Sequence, residues 1–76
     1  MTKELIEYVA SSLVDHPEEM EITETEEEGL TVYRLHVASR DIGKVIGRRG
    51  RVARAMRTLL KVSAIQNHKR AILEID

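Results

Sequence analysis

Hydrophobic and polar positions alternate along the chain with two different periods, and the changes of period mark its elements. Between residues 2 and 14, Leu5, Val9, Ser12 and Leu13 recur at helical spacing with Ile6 beside them, and Thr2 stands where a capping side chain is wanted. Asp15-His16-Pro17 ends this helix, because proline disfavours helical backbone at the residue before it. Over residues 19–25 the period drops to two. Met20 and Ile22 face one way and Glu21 and Thr23 the other, the mark of an edge strand. Gly29 signals a turn, and residues 30–37 form a second strand with Tyr33, Leu35 and Val37 on one face. A short helix follows, capped by Ser39 or Asp41 and running through Val45, and the glycines at 47 and 50 break it. A longer helix spans residues 51–65 with Val52, Met56, Leu59, Leu60 and Ser63 as its buried stripe, and Arg51, Arg54, Arg57 and Lys61 fall largely on the other side. Asn67-His68 is a turn, and residues 69–75 are the last strand with Ala71, Leu73 and Ile75 inward. The order α-β-β-α-α-β does not alternate strictly, so an α+β architecture is expected, a three-stranded sheet with helices packed on one face.

Composition sharpens this picture in one respect. The net charge of the 76 residues is −1, but residues 1–38 carry ten acids against two bases and residues 39–76 carry ten bases against three acids. A basic half of this kind points to a face for a polyanion. A plainer reading is attraction between the two halves of one folded chain. The densest acidic run, Glu24 to Glu28, reads as a hairpin tip. Carboxylates that do acid–base work need a buried setting to raise one pKa, which so exposed a run lacks. At this length one domain over residues 1–76 is expected, with modest stability of its own. There is no cysteine, and no apolar run approaches the roughly 20 residues needed to span a bilayer. With a charged N-terminus that lacks a signal-peptide core, the expectation is a cytoplasmic protein with no membrane span.

The stretch from Ile42 to Val52 carries the chemistry. Two helices meet across Gly47-Arg48-Arg49-Gly50, so the backbone must turn sharply and a bulky anion can approach main-chain N–H groups without meeting a Cβ. Gly50 opens the second helix, whose unpaired N–H groups and positive dipole end favour a phosphate. Arg48 and Arg49 add charge and forked donors at the tip, with Lys44, Arg51 and Arg54 close by in sequence. Ile46 and Val52 flank the loop and can pack beneath it. A bare G-x-x-G is a weak signal, and a tight helix–helix turn also needs glycine. The fuller pattern Ile-Gly-x-x-Ile-Gly-x-x-Gly between two helices and after two strands is more specific.

That pattern resembles the signature of the KH domain, and the element order resembles its type II arrangement. Over its full length the chain is similar to the small bacterial single-KH proteins of the KhpA family, with residues 42–50 the most specific part. The resemblance implies binding of single-stranded RNA, with Gly47, Arg48, Arg49 and Gly50 as the nucleic-acid loop. Ile46, Val45 and Val52 would line an apolar groove beside it, and Leu35 and Val37 would form the opposite wall. It further implies a homodimer, pairing with a second, larger KH-domain protein, and a role in post-transcriptional regulation or as an RNA chaperone. Many loops of the family carry one basic and one small or polar residue at their centre. Arginine at both positions here should favour affinity for the backbone over selection of bases.

Other chemistries fit less well. A P-loop needs a hydroxyl after its lysine, but Lys44 is followed by Val45. The G-x-G spacing of a dinucleotide fold is absent. With no Phe or Trp, and only Tyr8 and Tyr33, the chain lacks the aromatic platform of an RRM or an OB fold. His16, His36 and His68 are not paired at metal-ligand spacing, and Ser11-Ser12 has no base nearby in sequence, so no metal, no cofactor and no enzyme activity is expected. Two rivals remain: a helix-turn-helix DNA binder built on residues 41–65, and a protein-interaction scaffold with weak affinity for RNA.

Overall fold

The computed structural model describes the backbone of residues 2–76 and the side chains of residues 3–76. The first helix, α1, spans Thr2–Leu13, and a single 3-10 turn at Pro17–Glu19 follows it. The cap expected of the Thr2 side chain lies outside the described side chains. Strands β1 (Glu21–Glu27) and β2 (Leu30–His36) form a hairpin, and a 3-10 turn at Ser39–Asp41 leads into the short helix α2 (Ile42–Ile46). Helix α3 covers Arg51–Gln66, and β3 covers Arg70–Ile75. The fold is α+β with the order expected from the sequence.

The sheet runs β1-β2-β3, antiparallel between β1 and β2 and parallel between β2 and β3. A two-residue connection joins the hairpin, with Glu27 opposite Leu30. Glu28 and Gly29 have φ of 46° and 80°, and positive φ at both central residues is what a connection matching the strand twist requires. Most of the acidic run therefore lies along β1 itself, and only Glu28 sits in the turn. β1 starts two residues later than the alternation suggests, because Pro17 fixes φ for the 3-10 turn ahead of it.

The core lies between the helices and one face of the sheet. It gathers Ile6 and Ala10 from α1, Ile22 from β1, Tyr33 and Leu35 from β2, Val37 after it, Val45 from α2, Met56 and Leu60 from α3, and Leu73 from β3. The helix stripes differ in detail from those expected. On α1 the buried pair is Ile6 and Ala10, with Leu5 and Ser12 exposed. On α3 the buried row is Ala53, Met56, Leu60 and Ala64 at spacings of three and four, while Leu59 is 48% exposed. Alanine sits where α3 presses against its neighbours, so a reading weighted toward large apolar residues turns the helix slightly too far.

Asp41 decides where α2 sits. Its side chain is wholly buried, and it does not cap α2 as expected from the sequence. Its carboxylate turns the other way and accepts main-chain N–H groups from Asp15 (3.2 Å) and His16 (3.0 Å), just past the end of α1. Lys44 Nζ stands 3.6 Å from it and also pairs with Asp15. Burial pushes the Asp41 carboxyl up, but the two main-chain donors, with His16 and Lys44 nearby, outweigh burial and hold it below the ordinary carboxylate value. A carboxyl lowered in the folded chain stabilises it at every pH above the unfolded value, and that stabilisation disappears as pH falls through the lowered folded value. Thermal melts across the acid range should therefore show a steep loss of stability in the parent below the usual carboxylate range. In Asp41→Asn the melting temperature should already be lower at neutral pH and should depend less on acid.

Candidate nucleic-acid interface

The loop between α2 and α3 is built by a close approach. Gly47 closes α2, donating to the Gly43 carbonyl at 2.9 Å, and takes φ 80°, ψ 170°. A Cβ at this position would meet Val52 Cγ2 at 2.5 Å and both the Cβ and the backbone nitrogen of Val52 at 2.9 Å, so no side chain fits. Gly50 donates to the Gly47 carbonyl at 3.0 Å and closes a tight turn over Arg48–Gly50. Arg49 and Gly50 both lie in the left-handed region, with φ of 56° and 73°. For arginine this conformation is strained. Arg54, one turn into α3, reaches back and donates to the Arg49 carbonyl, which holds the loop in that state.

The tip this produces is suited to an anion. Arg48 and Arg49 are exposed, and α3 begins at Gly50 with no side-chain cap and no acid in its first turn. Sixteen residues of helix thus point an uncancelled positive end at the loop. Among the described residues no ion pair engages Arg48, Arg49, Arg51, Arg54, Arg57 or Lys61. The cross-chain pairs draw on Arg40 with Glu19, Lys44 with Asp15 and Lys69 with Glu26. Attraction between the acidic and basic halves accounts for those three, and leaves the basic row of α3 open to solvent.

Not every expected residue lines this surface. Leu35 (0% exposed), Val37 (2%) and Val45 (0%) belong to the core and offer no wall to a ligand. β2 is the central strand, flanked on both sides and covered by helices, so its inward residues have nowhere else to go. Lys44 turns from the loop to Asp15 and Asp41, and the Asp15 hydrogen bond raises its pKa. Ile46 and Val52 are half-buried beneath the loop as expected, and Arg51 is exposed beside it.

The wall that does exist is β3. A groove of about 380 Å³ runs between α3 and β3, lined by Arg57 and Lys61 from the helix, Arg70, Ile72 and Leu73 from the strand, and Ile65 at its far end. Arg54, Arg57 and Lys61 follow one another at spacings of three and four, so a row of cations joins the loop to this groove. The helical spacing of the arginines signalled that row in the sequence; the pairing of β3 at a sheet edge was not visible there. Elsewhere His16, Glu18 and Glu19 bring one ligand atom each within 4.8 Å of one another, a grouping that sequence spacing missed, though both glutamates are exposed, as acidic surface groups without an ion commonly are.

Comparison with known proteins decides the family. The model of the KhpA/KhpB KH domain matches residues 3–75. The chain belongs to the KhpA/KhpB family of KH domains. That family is one of KH domains and not of enzymes. Similar curated proteins named RNA-binding protein KhpA occur in Treponema pallidum (53% identical, covering 99% of this chain and 94% of the relative) and Oceanobacillus iheyensis (51%, covering 96% and 97%). Another is found in Clostridium acetobutylicum, 45% identical and again covering 96% and 97%. No solved structure gives a significant match. Among the described residues of this KH domain, no helix is long and apolar enough to cross a membrane.

The three loop-region glycines of the KH domain should respond differently to alanine. Gly43→Ala meets nothing within 4 Å in a helix and should leave the melting temperature unchanged or raise it slightly. Gly50→Ala keeps its space but carries φ 73°, at a cost of about 1 kcal/mol. Gly47→Ala should be the most damaging. Trimming its neighbour in Gly47→Ala/Val52→Ala should not restore stability, because the backbone nitrogen at 52 is part of the clash.

Proposed function

We propose that this KH domain binds single-stranded RNA, gripping phosphates at Gly47–Gly50 and laying the adjoining nucleotides along the groove between α3 and β3. The observation that carries this reading is the loop itself: two exposed arginines over an uncapped helix start, held in a strained turn by Arg54. A helix N-terminus and forked guanidinium donors suit a phosphodiester, and the row of Arg54, Arg57 and Lys61 gives the strand a path away from the tip. The relatives named as RNA-binding proteins support the same ligand. The narrowed set of contact residues is Gly47, Arg48, Arg49, Gly50 and Arg51 at the loop, with Arg57, Lys61 and Arg70 along the groove.

The reading includes a dimer. Leu5 (42% exposed) and Leu59 (48%) line a shallow apolar crease between α1 and α3 that also includes Val9 and Met56, and Val62 (51%) is exposed further along α3. A second copy meeting this patch would cover it and leave both grooves open. One KH module contacts about four nucleotides, so joining two raises affinity through effective concentration. A larger KH-domain partner would use the same face, and the regulatory role belongs to whichever pair forms.

Binding should weaken with salt. If two to four phosphates are neutralised, the logarithm of the association constant falls against log salt with a slope of roughly −1.5 to −3. Arg48→Asp/Arg49→Asp should abolish binding in an RNA titration while melting like the parent, since aspartate is well tolerated in the left-handed conformation that residue 49 adopts. Retained binding by that variant would sink the loop as the grip, and tighter binding of duplex DNA would favour the helix-turn-helix reading. Separately, Leu59→Lys should convert an associated species to the 8.7 kDa monomer in light scattering at high micromolar concentration. A parent that is monomeric throughout overturns the dimer.

A further inference from the structure

We propose that Arg57 makes the α3–β3 groove select bases with two adjacent acceptors, guanine and cytosine, against adenine. The proposal rests on the RNA-binding reading above and adds to it the chemistry of the nucleotide that the groove takes. β3 is an edge strand, and its pairing with β2 fixes which main-chain groups are turned outward. Arg70 donates to Gly29 and Asp76 to Leu35, so the even-numbered residues of β3 turn N–H and C=O toward β2. Ala71, Leu73 and Ile75 turn theirs to the free edge, where a base in the groove would lie.

A bare edge offers donors and acceptors in equal number and would suit adenine, whose exocyclic amine must find an acceptor. This edge is not bare. Arg57 Nη2 stands 3.4 Å from the Leu73 carbonyl oxygen, occupying the main-chain acceptor in the middle of the groove. The groove's lining holds four cations, Arg57, Lys61, Lys69 and Arg70, and no carboxylate that could take over as acceptor. At the middle of the groove what faces the base is therefore a set of donors, and the acceptor that stays open, the Ala71 carbonyl, lies two residues along the edge toward Lys69. Guanine presents O6 beside N7, and cytosine presents O2 beside N3. Each can receive two N–H groups from the forked guanidinium that the Leu73 carbonyl holds in place. Adenine presents an amine beside each of its ring acceptors on the N1 and N7 edges, and meets a donor where it needs an acceptor. Uracil separates its two carbonyls with an N–H and falls between.

This divides the interface in two. The double-arginine loop binds backbone without regard to sequence, as the loop composition suggests. Selection belongs to a residue two turns along α3 that no G-x-x-G pattern includes.

The test is a fluorescence anisotropy titration of single-stranded oligouridine carrying one central G, C, A or U, at fixed salt. A good bidentate contact corresponds to roughly tenfold discrimination. The parent should bind the G or C oligomer about tenfold more tightly than the A oligomer, and the separate G and C arms show which acceptor pair is preferred. Arg57→Ala frees the Leu73 carbonyl and should bring the ratio to within about twofold. Arg57→Gln, whose amide offers one donor and one acceptor, should turn the preference toward adenine. Both substitutions remove one exposed charge, so all affinities fall somewhat and the ratio is the quantity read; melting curves establish that each variant is folded. Equal binding of A, G and C by the parent, or a ratio that survives in both variants, overturns the proposal while leaving RNA binding intact. Failure of the parent to bind any of the four oligomers overturns the RNA reading itself, and this inference with it.

Discussion

A helix of five residues has too few internal hydrogen bonds to hold itself in place, so the position of α2 is set from outside. The buried carboxylate of Asp41 does most of this. It joins the exit of α1 to the start of α2 through two main-chain N–H groups, while Val45 anchors the other end of the helix in the core. Everything beyond inherits that placement. Gly47 must lie against Val52, the chain must turn left-handed at Arg49 and Gly50, and α3 must start where it does. A buried anionic side chain at the opposite end of a five-residue helix thus positions the double-arginine loop, without touching it.

The element order, the α+β class and the loop were legible in the sequence because each depends on local signals: period, proline, glycine and the grouping of charge. The legible part stopped where tertiary pairing takes over. Asp41 reads as a helix cap because aspartate ahead of a helix usually is one, and nothing local reveals that Asp15 and His16 will supply donors from 26 and 25 residues away. Leu35, Val37 and Val45 are groove residues only by the resemblance to KH domains, and nothing in their own pattern separates a groove wall from a core. Their burial follows from β2 being the middle strand, a fact of sheet order that the chain does not spell out locally. Lys44 looked like part of the basic loop, yet its partners are Asp15 and Asp41. The arginine spacing on α3 was visible, but its meaning depends on β3 lying beside it.

Charge separation along the chain becomes a separation in space. The acids gather along β1 and in the connection ahead of it, and the bases on the loop and α3, with a few ion pairs such as Lys69–Glu26 (2.6 Å) joining the two. Those pairs are exposed and contribute little stability individually. The charges left unpaired have the larger effect, which is orientation: an approaching polyanion is repelled from the hairpin side and drawn to the other, so encounters are directed before any contact forms.

The guanidinium at the edge of β3 has a second consequence, which concerns the chain when nothing is bound to it. A sheet with two open edges is a template on which identical molecules can stack strand by strand into fibrils. β1 is guarded by the glutamates it carries. β3 carries Ile72 at 46% exposure among few charges and would be the weaker edge, but Arg57 covers its central carbonyl from the side. The groove proposed to take a nucleotide and the surface that refuses a neighbouring strand are therefore the same few atoms, so a variant altered there for specificity also carries a liability in solubility.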